Sequence, residues 1–418
     1  MIGLRHLPLK YRLPLIHGAL WRLAKNRSRQ WPRGGSETEV RRGPLIVSGL
    51  LNESLGIGQA GRMTLRALRD AGYDAQAHDL RPAFRKILTQ NAQRPDGEGG
   101  VWLIHANPSE ALVAMLAHPP KGWARTYRIA YWAWETSKAP PAWVFTADFF
   151  HEIWVPSHFV HDALVCAFEA EGRPDLSQRL RVMPHPLPPI SMTPERKVQA
   201  RRRFGLGDGV EVLCLFDAKS SAARKNPWGV IEAWESAFPQ PLPGVRLSIK
   251  IADLTRDKAS AERLRELVAR RPDMRLISEH FSDVDMTAFL GSFDILVSLH
   301  RAEGFGLALA EAMAQGVAVM ATQWSGNLQF MTHENSRLIP AEVVPVADPE
   351  GPYTGLDRDP EQGWGEPHPW EAVLALRELV ASPELRQRLG SAARSVIPPL
   401  HTPWQQAELL KLPFNRYL

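Results

Sequence analysis

Apolar residues in this chain come as short unbroken runs, and between the runs they recur at helical spacing. The runs LIVSGL (Leu45 to Leu50), VWLIHA, RIAYWAW, EIWVP and RLRVMP predict strands in the first part of the chain. VEVLCLFDA (Val210 to Ala218), RLSIKIAD, MRLISEHF, DILVSL and VAVMAT predict a second series. Amphipathic stretches separate them. GQAGRMTLRALRDAG predicts a helix that Gly72 closes, and a further helix starts at Ser157. NPWGVIEAWESAF predicts a helix with Asn226 as its N-cap and Pro227 in its first position, and Ser282 with Asp285 has the form of a capping box. Strands that are apolar throughout and alternate with helices imply a parallel α/β architecture.

Prolines concentrate between Pro184 and Pro194, too densely for either regular structure, and predict a stiff extended connector. The expected organisation is therefore a leader at 1–42, a first α/β domain at 43–186 and a linker at 187–198. A second α/β domain at 199–380 and a helical tail at 381–418 follow, the tail crossing back to the first domain. The stretch from Ala341 to Pro369, rich in Pro, Gly and acid, predicts a long surface loop.

Charge sharpens the view of the leader. Residues 1–42 hold ten Lys or Arg against two Glu, interleaved with Leu13, Leu15, Ile16, Leu20, Trp21 and Leu23. Such a segment suits an anionic membrane surface, or is a solvated extension that touches nothing. No stacking or groove-reading motif accompanies the charge, so nucleic acid is not an expected partner. With 418 residues and 44% hydrophobic content the chain is globular, neither disordered nor fibrous. No apolar run is long enough to span a bilayer, and no secretory signal is evident, so a cytoplasmic protein, peripheral on the inner face of the plasma membrane, is expected. Cys166 and Cys214 have neither disulfide nor metal-site spacing and are expected as core thiols.

The chemistry concentrates in HRAEGFGLALAEAMAQG, His300 to Gly316. A strand delivers the chain to a turn containing Gly304 and Gly306, and a helix follows. Free amides at a helix N-terminus favour an anion, and glycine permits close backbone approach. Glu303 stands before the turn, and Glu311 lies about 7 to 8 Å along the helix from Gly306. Carboxylates are acceptors suited to sugar hydroxyls. An acid in so apolar a helix either faces solvent or is paired, since burial without a partner is costly.

EGFGLALAE, with seven residues between Glu303 and Glu311, resembles the signature of the retaining glycosyltransferases of family 4, over about Leu45 to about Val380. The resemblance implies the GT-B fold, two Rossmann-like α/β domains facing each other across a cleft. It implies that Glu303 contacts the donor sugar, that the turn Gly304, Phe305, Gly306 and Leu307 faces the donor, and that Glu311 accepts from its ribose. It also implies no metal and no cofactor. KSSAARKNP then resembles the family's basic phosphate loop. Lys225 matches its lysine, whereas the arginine expected five residues earlier falls on Ser220, leaving Arg224 or Lys219 to supply the second charge.

In the first domain SGLLNESLGIGQAGR follows a strand and opens a helix, and the resemblance implies that this loop approaches donor and acceptor, with Gly56 and Gly58 as donor candidates and Asn52 as an acceptor candidate. His105 and Asn107 close a strand toward the cleft. By resemblance His105 binds the transferred sugar; as a lone histidine it is otherwise a satisfied core residue. Glu135, after aromatics that can stack on sugars, is a further acceptor candidate unless those rings are simply core. His280 and Ser298 end strands on the ligand side of the second domain, and Ser325, Gly326 and Asn327 resemble a supporting turn behind the nucleotide. The expected reaction is transfer of a hexose from a nucleoside diphosphate sugar, of GDP-mannose or UDP-glucose type, to a hydroxyl of a saccharide or lipid-linked glycan. A sugar-nucleotide epimerase, a phosphorylase or a non-catalytic glycan-assembly subunit are the alternatives on the same fold.

Overall fold

The computed structural model describes residues 9–35, 39–53, 56–95, 98–187, 192–217, 220–252, 258–349 and 351–418. Residues 1–8 of the expected leader, part of the proline connector, Lys219 and the acids of the loop at 253–257 lie outside them. Two compact lobes form, one from 1–186 with 400–418 and one from 187–399.

The first lobe is built on a parallel sheet of β1 (Leu45–Gly49), β2 (Ala75–Asp79), β3 (Val101–His105), β4 (Tyr127–Tyr131), β5 (Glu152–Val155) and β6 (Leu180–Val182), in the order β2-β1-β3-β4-β5-β6. Every residue of β1, β3, β4 and β5 is buried, which is why these strands read as continuous apolar runs. One face packs on Trp102, Trp123, Trp132 and Phe150. The other packs on Trp154 with Trp404 and Phe414 from the tail, where Trp404 Nε1 donates to the Pro184 carbonyl at 2.6 Å.

The basic segment is not a free extension. Leu9–Arg27 is a helix whose Leu20, Trp21, Leu23 and Ala24 pack on the core of the first lobe. Behind it Trp31 is buried edge-on against Trp123 and Phe149 at 5.4 and 5.2 Å. Arg27 donates to the Ile87 carbonyl at 2.6 Å, and the buried Arg128 reaches the carbonyls of Pro32 and Arg33. The apolar residues that suggested a membrane face are therefore partly spent on the core. Tyr11, Leu15 and Ile16 remain exposed.

The second lobe holds β7 (Val210–Asp217), β8 (Val245–Ala252), β9 (Met274–Ile277), β10 (Ile295–Ser298), β11 (Ala318–Thr322) and β12 (Arg337–Ile339). All pair in parallel, in the order β12-β11-β10-β7-β8-β9. The strand order reverses between β7 and β10, and in such sheets ligands bind beyond the carboxyl ends at the reversal.

Two expectations are corrected here. The stretch Ala341–Pro369 is not all loop, because β13 (Ala341–Pro345) and β14 (Gly363–Pro367) form an antiparallel pair. Its prolines stand at the strand ends, where no ladder donor is lost, and Trp364 is 2% exposed. The linker is shorter than 187–198, since a helix starts at Pro194 with the Thr193 hydroxyl accepting from the Arg196 amide.

Candidate active site

The reversal between β7 and β10 is where the second lobe gathers its charge. The chain leaving β7 passes Ser221, at φ 69°, and makes the one-turn helix Ala222–Lys225. Asn226 follows in the left-handed region at φ 48°. Its Oδ1 caps the helix Pro227–Ala237 through the Gly229 amide, and its Nδ2 donates to the Leu299 carbonyl at 2.9 Å, tying this loop to the end of β10. The chain leaving β10 runs through His300 to Glu303.

There the two loops meet. Lys225 donates to Glu303 Oε1, and Arg224 Nη1 lies 3.3 Å from Oε2. Burial alone would raise the Glu303 carboxyl, but the charges of Lys225 and then Arg224 outweigh it and hold the group at about 2. Glu303 is thus ionised at any physiological pH. Arg224 differs from the exposed cation expected beside a diphosphate. It is 4% exposed, with Nε donating to the Ser220 carbonyl at 3.1 Å and Nη1 to the Ala302 carbonyl at 2.7 Å. Its guanidinium orients Glu303 and the loop, while Lys225 stays half-buried.

The glycine turn is assembled against a second turn. The Glu303 amide donates to Ser325 Oγ at 2.8 Å, and the Gly326 amide to the Glu303 carbonyl at 2.8 Å. A Cβ on Gly326 would stand 2.1 Å from the Gly304 carbonyl oxygen, so no other residue allows this approach. Gly306, at φ 91°, turns the chain into the helix Leu307–Ala314. The Phe305 ring packs on Phe330 at 5.0 Å, leaving its backbone as the part that can face a ligand. Glu311 is the fifth residue of the helix and half-buried.

Sequence reasoning missed His300, which is fully buried beneath this turn. Its Nδ1 meets Ser298 Oγ at 3.1 Å and its Nε2 meets Asn327 Oδ1 at 3.2 Å, while burial lowers its pKa. Ser298 thereby supports His300, and His280 is exposed beyond β9. The only signal for His300 was its place two residues after a strand end.

In the first lobe the reversal lies between β1 and β3, with Gly49 paired to His105. His105 is 1% exposed, its ring stacked on Tyr131 at 4.2 Å, and neither ring nitrogen has a hydrogen-bond partner. It is therefore not a satisfied core residue. Burial holds it neutral, with a pKa of about 3. Tyr131, whose hydroxyl donates to the Met183 carbonyl at 2.6 Å, and His185 continue the stack. Gly58 is sterically required, since a Cβ there would lie 2.6 Å from the Leu50 and Glu53 carbonyl oxygens, whereas Gly56 is open. Asn52 is exposed and Glu135 half-buried. Asn107 spends its Oδ1 on the Ala133 amide at 2.9 Å, a loop-bracing bond. Among the described residues no three His, Cys, Asp or Glu side chains cluster as a metal site.

Residues 231–351 match the family model described as glycosyl transferases group 1, a span containing Glu303, the glycine turn and Glu311. No curated protein matches the chain in sequence. The Anabaena protein Alr3699/HepE, solved in complex with UDP and glucose, is 13% identical with a TM-score of 0.60, over 88% of this chain and 100% of its own. A glycosyltransferase from Rickettsia africae is 12% identical with a TM-score of 0.60, over 90% and 97%. WaaG, a glycosyltransferase involved in lipopolysaccharide biosynthesis, is 14% identical with a TM-score of 0.55, over 88% and 99%. The fold is GT-B. Together with the group 1 domain match it supports a glycosyltransferase.

Proposed function

We propose that the protein is a retaining, metal-independent glycosyltransferase of family 4 type, which moves a hexose from a nucleoside diphosphate sugar to a hydroxyl of a saccharide or lipid-linked glycan. The observation that carries this is the ion cluster of Lys225, Arg224 and Glu303 at the strand reversal, directly before an amide-lined glycine turn. In this reading the diphosphate lies against the amides of Gly304 to Leu307. Lys225 neutralises it as it departs, and Glu303, kept ionised by its cations, accepts from a sugar hydroxyl. Glu311 accepts from the ribose, and His105, neutral and with both nitrogens unspent, exchanges a hydrogen bond with the transferred sugar. The departing phosphate oxygen takes the acceptor proton, so no separate general base is needed. Gly56 and Gly58 approach the donor phosphates, while Asn52 and Glu135 border the acceptor side.

The UDP held by the Anabaena neighbour favours a UDP-sugar such as UDP-glucose over GDP-mannose. Work on the cytoplasmic face of a membrane, with peripheral attachment, is supported by exposed Tyr11, Leu15 and Ile16 on a helix that also exposes Arg22 and Lys25. No helix among the described residues is long and apolar enough to cross a membrane.

The deciding experiment is a screen of UDP- and GDP-sugars by thermal shift, followed by product analysis with lipid-linked acceptors and assignment of anomeric configuration. At least one donor should raise the melting temperature and yield a product of retained configuration without added metal. Stability unchanged by every nucleotide would sink the reading.

A further inference from the structure

The excursion from Ala341 to Pro367 has no part in the reaction as described, yet its polar groups converge on the one-turn helix that carries Lys225. So short a helix cannot satisfy its own last carbonyls. Arg301 does so instead. Its Nη1 donates to the Ala223 carbonyl at 2.6 Å and its amide to the Arg224 carbonyl at 2.7 Å. Arg301 is in turn gripped by the excursion. Glu366 takes its Nε and, at 2.9 Å, its Nη2, and the Gly365 amide donates to its carbonyl at 2.8 Å. The guanidinium lies 5.6 Å over the Trp364 ring.

At the other end of the same helix, Ser221 is the N-cap, its Oγ accepting from the Arg224 amide at 3.1 Å. Asp348, held by the Tyr353 amide at 3.2 Å, lies near enough to this cap for Ser221 and Arg224 both to act on its carboxyl. Ser221 holds φ 69°, a conformation that persists only where its surroundings impose it. A guanidinium nitrogen on one carbonyl, a backbone amide on the next and a carboxylate beside the cap leave the helix little freedom to turn or slide.

We propose that Glu366, through Arg301, and Asp348, through Ser221, are positioning residues for Lys225: the excursion clamps both ends of its helix and so fixes where the ammonium meets the departing diphosphate. The proposal rests on the donor reading above. Neither acid touches the substrate.

The test is a double-mutant cycle in the full chain. Glu366→Ala and Asp348→Asn are made alone and with Lys225→Ala, and kcat, KM and melting temperature are measured with the donor selected by the screen. Each clamp variant should lower kcat about ten-fold with KM altered less than about three-fold, and should lower it no further once Lys225 is gone. A merely structural role would shift melting temperature in both backgrounds and leave kcat at low temperature alone. Should Glu366→Ala fail to fold, Glu366→Gln, which keeps the shape and one acceptor, decides by the same cycle. A kcat within about two-fold of the parent, or an equal loss with and without Lys225, overturns the clamp. If instead Lys225→Ala alone leaves kcat unchanged, the donor reading fails, a result distinct from failure of the clamp.

Discussion

At Glu303 the stability of the second lobe and the proposed chemistry fall on the same side chain. It is 8% exposed and faces two cations, so its removal strands Lys225 and Arg224 beside each other without a counter-charge. Glu303→Ala should cost about 3 kcal/mol, the usual result of deleting one partner of a buried ion pair, and should abolish transfer. Glu303→Gln keeps the volume and should retain most of the fold while losing turnover. Urea unfolding of the two variants beside donor assays separates the effects, and an alanine variant as stable as the parent would show that the pair is not a buried one. The positions of Glu303 and Lys225 were legible in sequence because each sits in a short loop after a strand, where spacing alone fixes placement. The fate of Arg224 was not. Whether its guanidinium faces solvent or the Ala302 carbonyl depends on a loop nearly eighty residues away. His300 escaped for the same reason, since Asn327 becomes its partner only through the pairing of β10 with β11.

Among the elements, the first turn of the helix Gly56–Asp70 gives a paired prediction. A methyl on Gly58 would collide with two backbone carbonyls, whereas one on Gly56 would meet open space. Gly58→Ala should therefore destabilise the first lobe by about 1–3 kcal/mol and disturb the approach to His105, with Gly56→Ala near neutral. Equal melting temperatures for the two would contradict the packing. The N-terminal helix makes a second case. Trp31→Ala should cost about 3–5 kcal/mol, because the ring is closed in by Trp123 and Phe149. Changing Tyr11, Leu15 and Ile16 to serine should leave melting unchanged and weaken binding to anionic vesicles, measured by co-sedimentation. Unaltered vesicle binding would remove this helix from any membrane role. What hid the packing of the helix was its composition: apolar residues among cations read equally as a membrane face or a solvated leader until Trp21, Ala24 and Trp31 are seen against the core. β2 was illegible because AQAHD has no apolar run, its place being set by pairing along β1. The pair β13 and β14 was masked by its prolines and glycines, of which Pro345, Gly363 and Pro367 mark strand ends while Gly365 sits inside the ladder opposite Val343.

At the scale of the whole molecule, both parallel sheets followed from the alternation of apolar runs and helical stretches, because strands buried on both faces leave an unbroken hydrophobic record. Strand order left no such record, yet it creates the reversals where Glu303 and His105 stand. The same burial has a consequence for pH. His105, His118 and His185 are almost completely buried in the first lobe, and burial lowers the pKa of each below 6.5, that of His105 to about 3. In the unfolded chain these rings take up a proton near pH 6.5, and in the folded lobe only below it, well below for His105 and His185. Between those limits the unfolded state binds more protons, so stability is complete above about pH 6.5 and falls as the pH drops, by up to about 1.4 kcal/mol per pH unit for each ring. In the second lobe His300 acts in the same direction. Glu303, depressed from 4.5 to about 2, adds its own loss only below about pH 4.5. Calorimetry from pH 7.5 to 4 should therefore show the first lobe weakening from about pH 6.5, and His118→Asn should flatten that slope by up to about 1.4 kcal/mol per pH unit. A melting profile level between pH 7 and pH 5 would mean that these rings are not buried in neutral form.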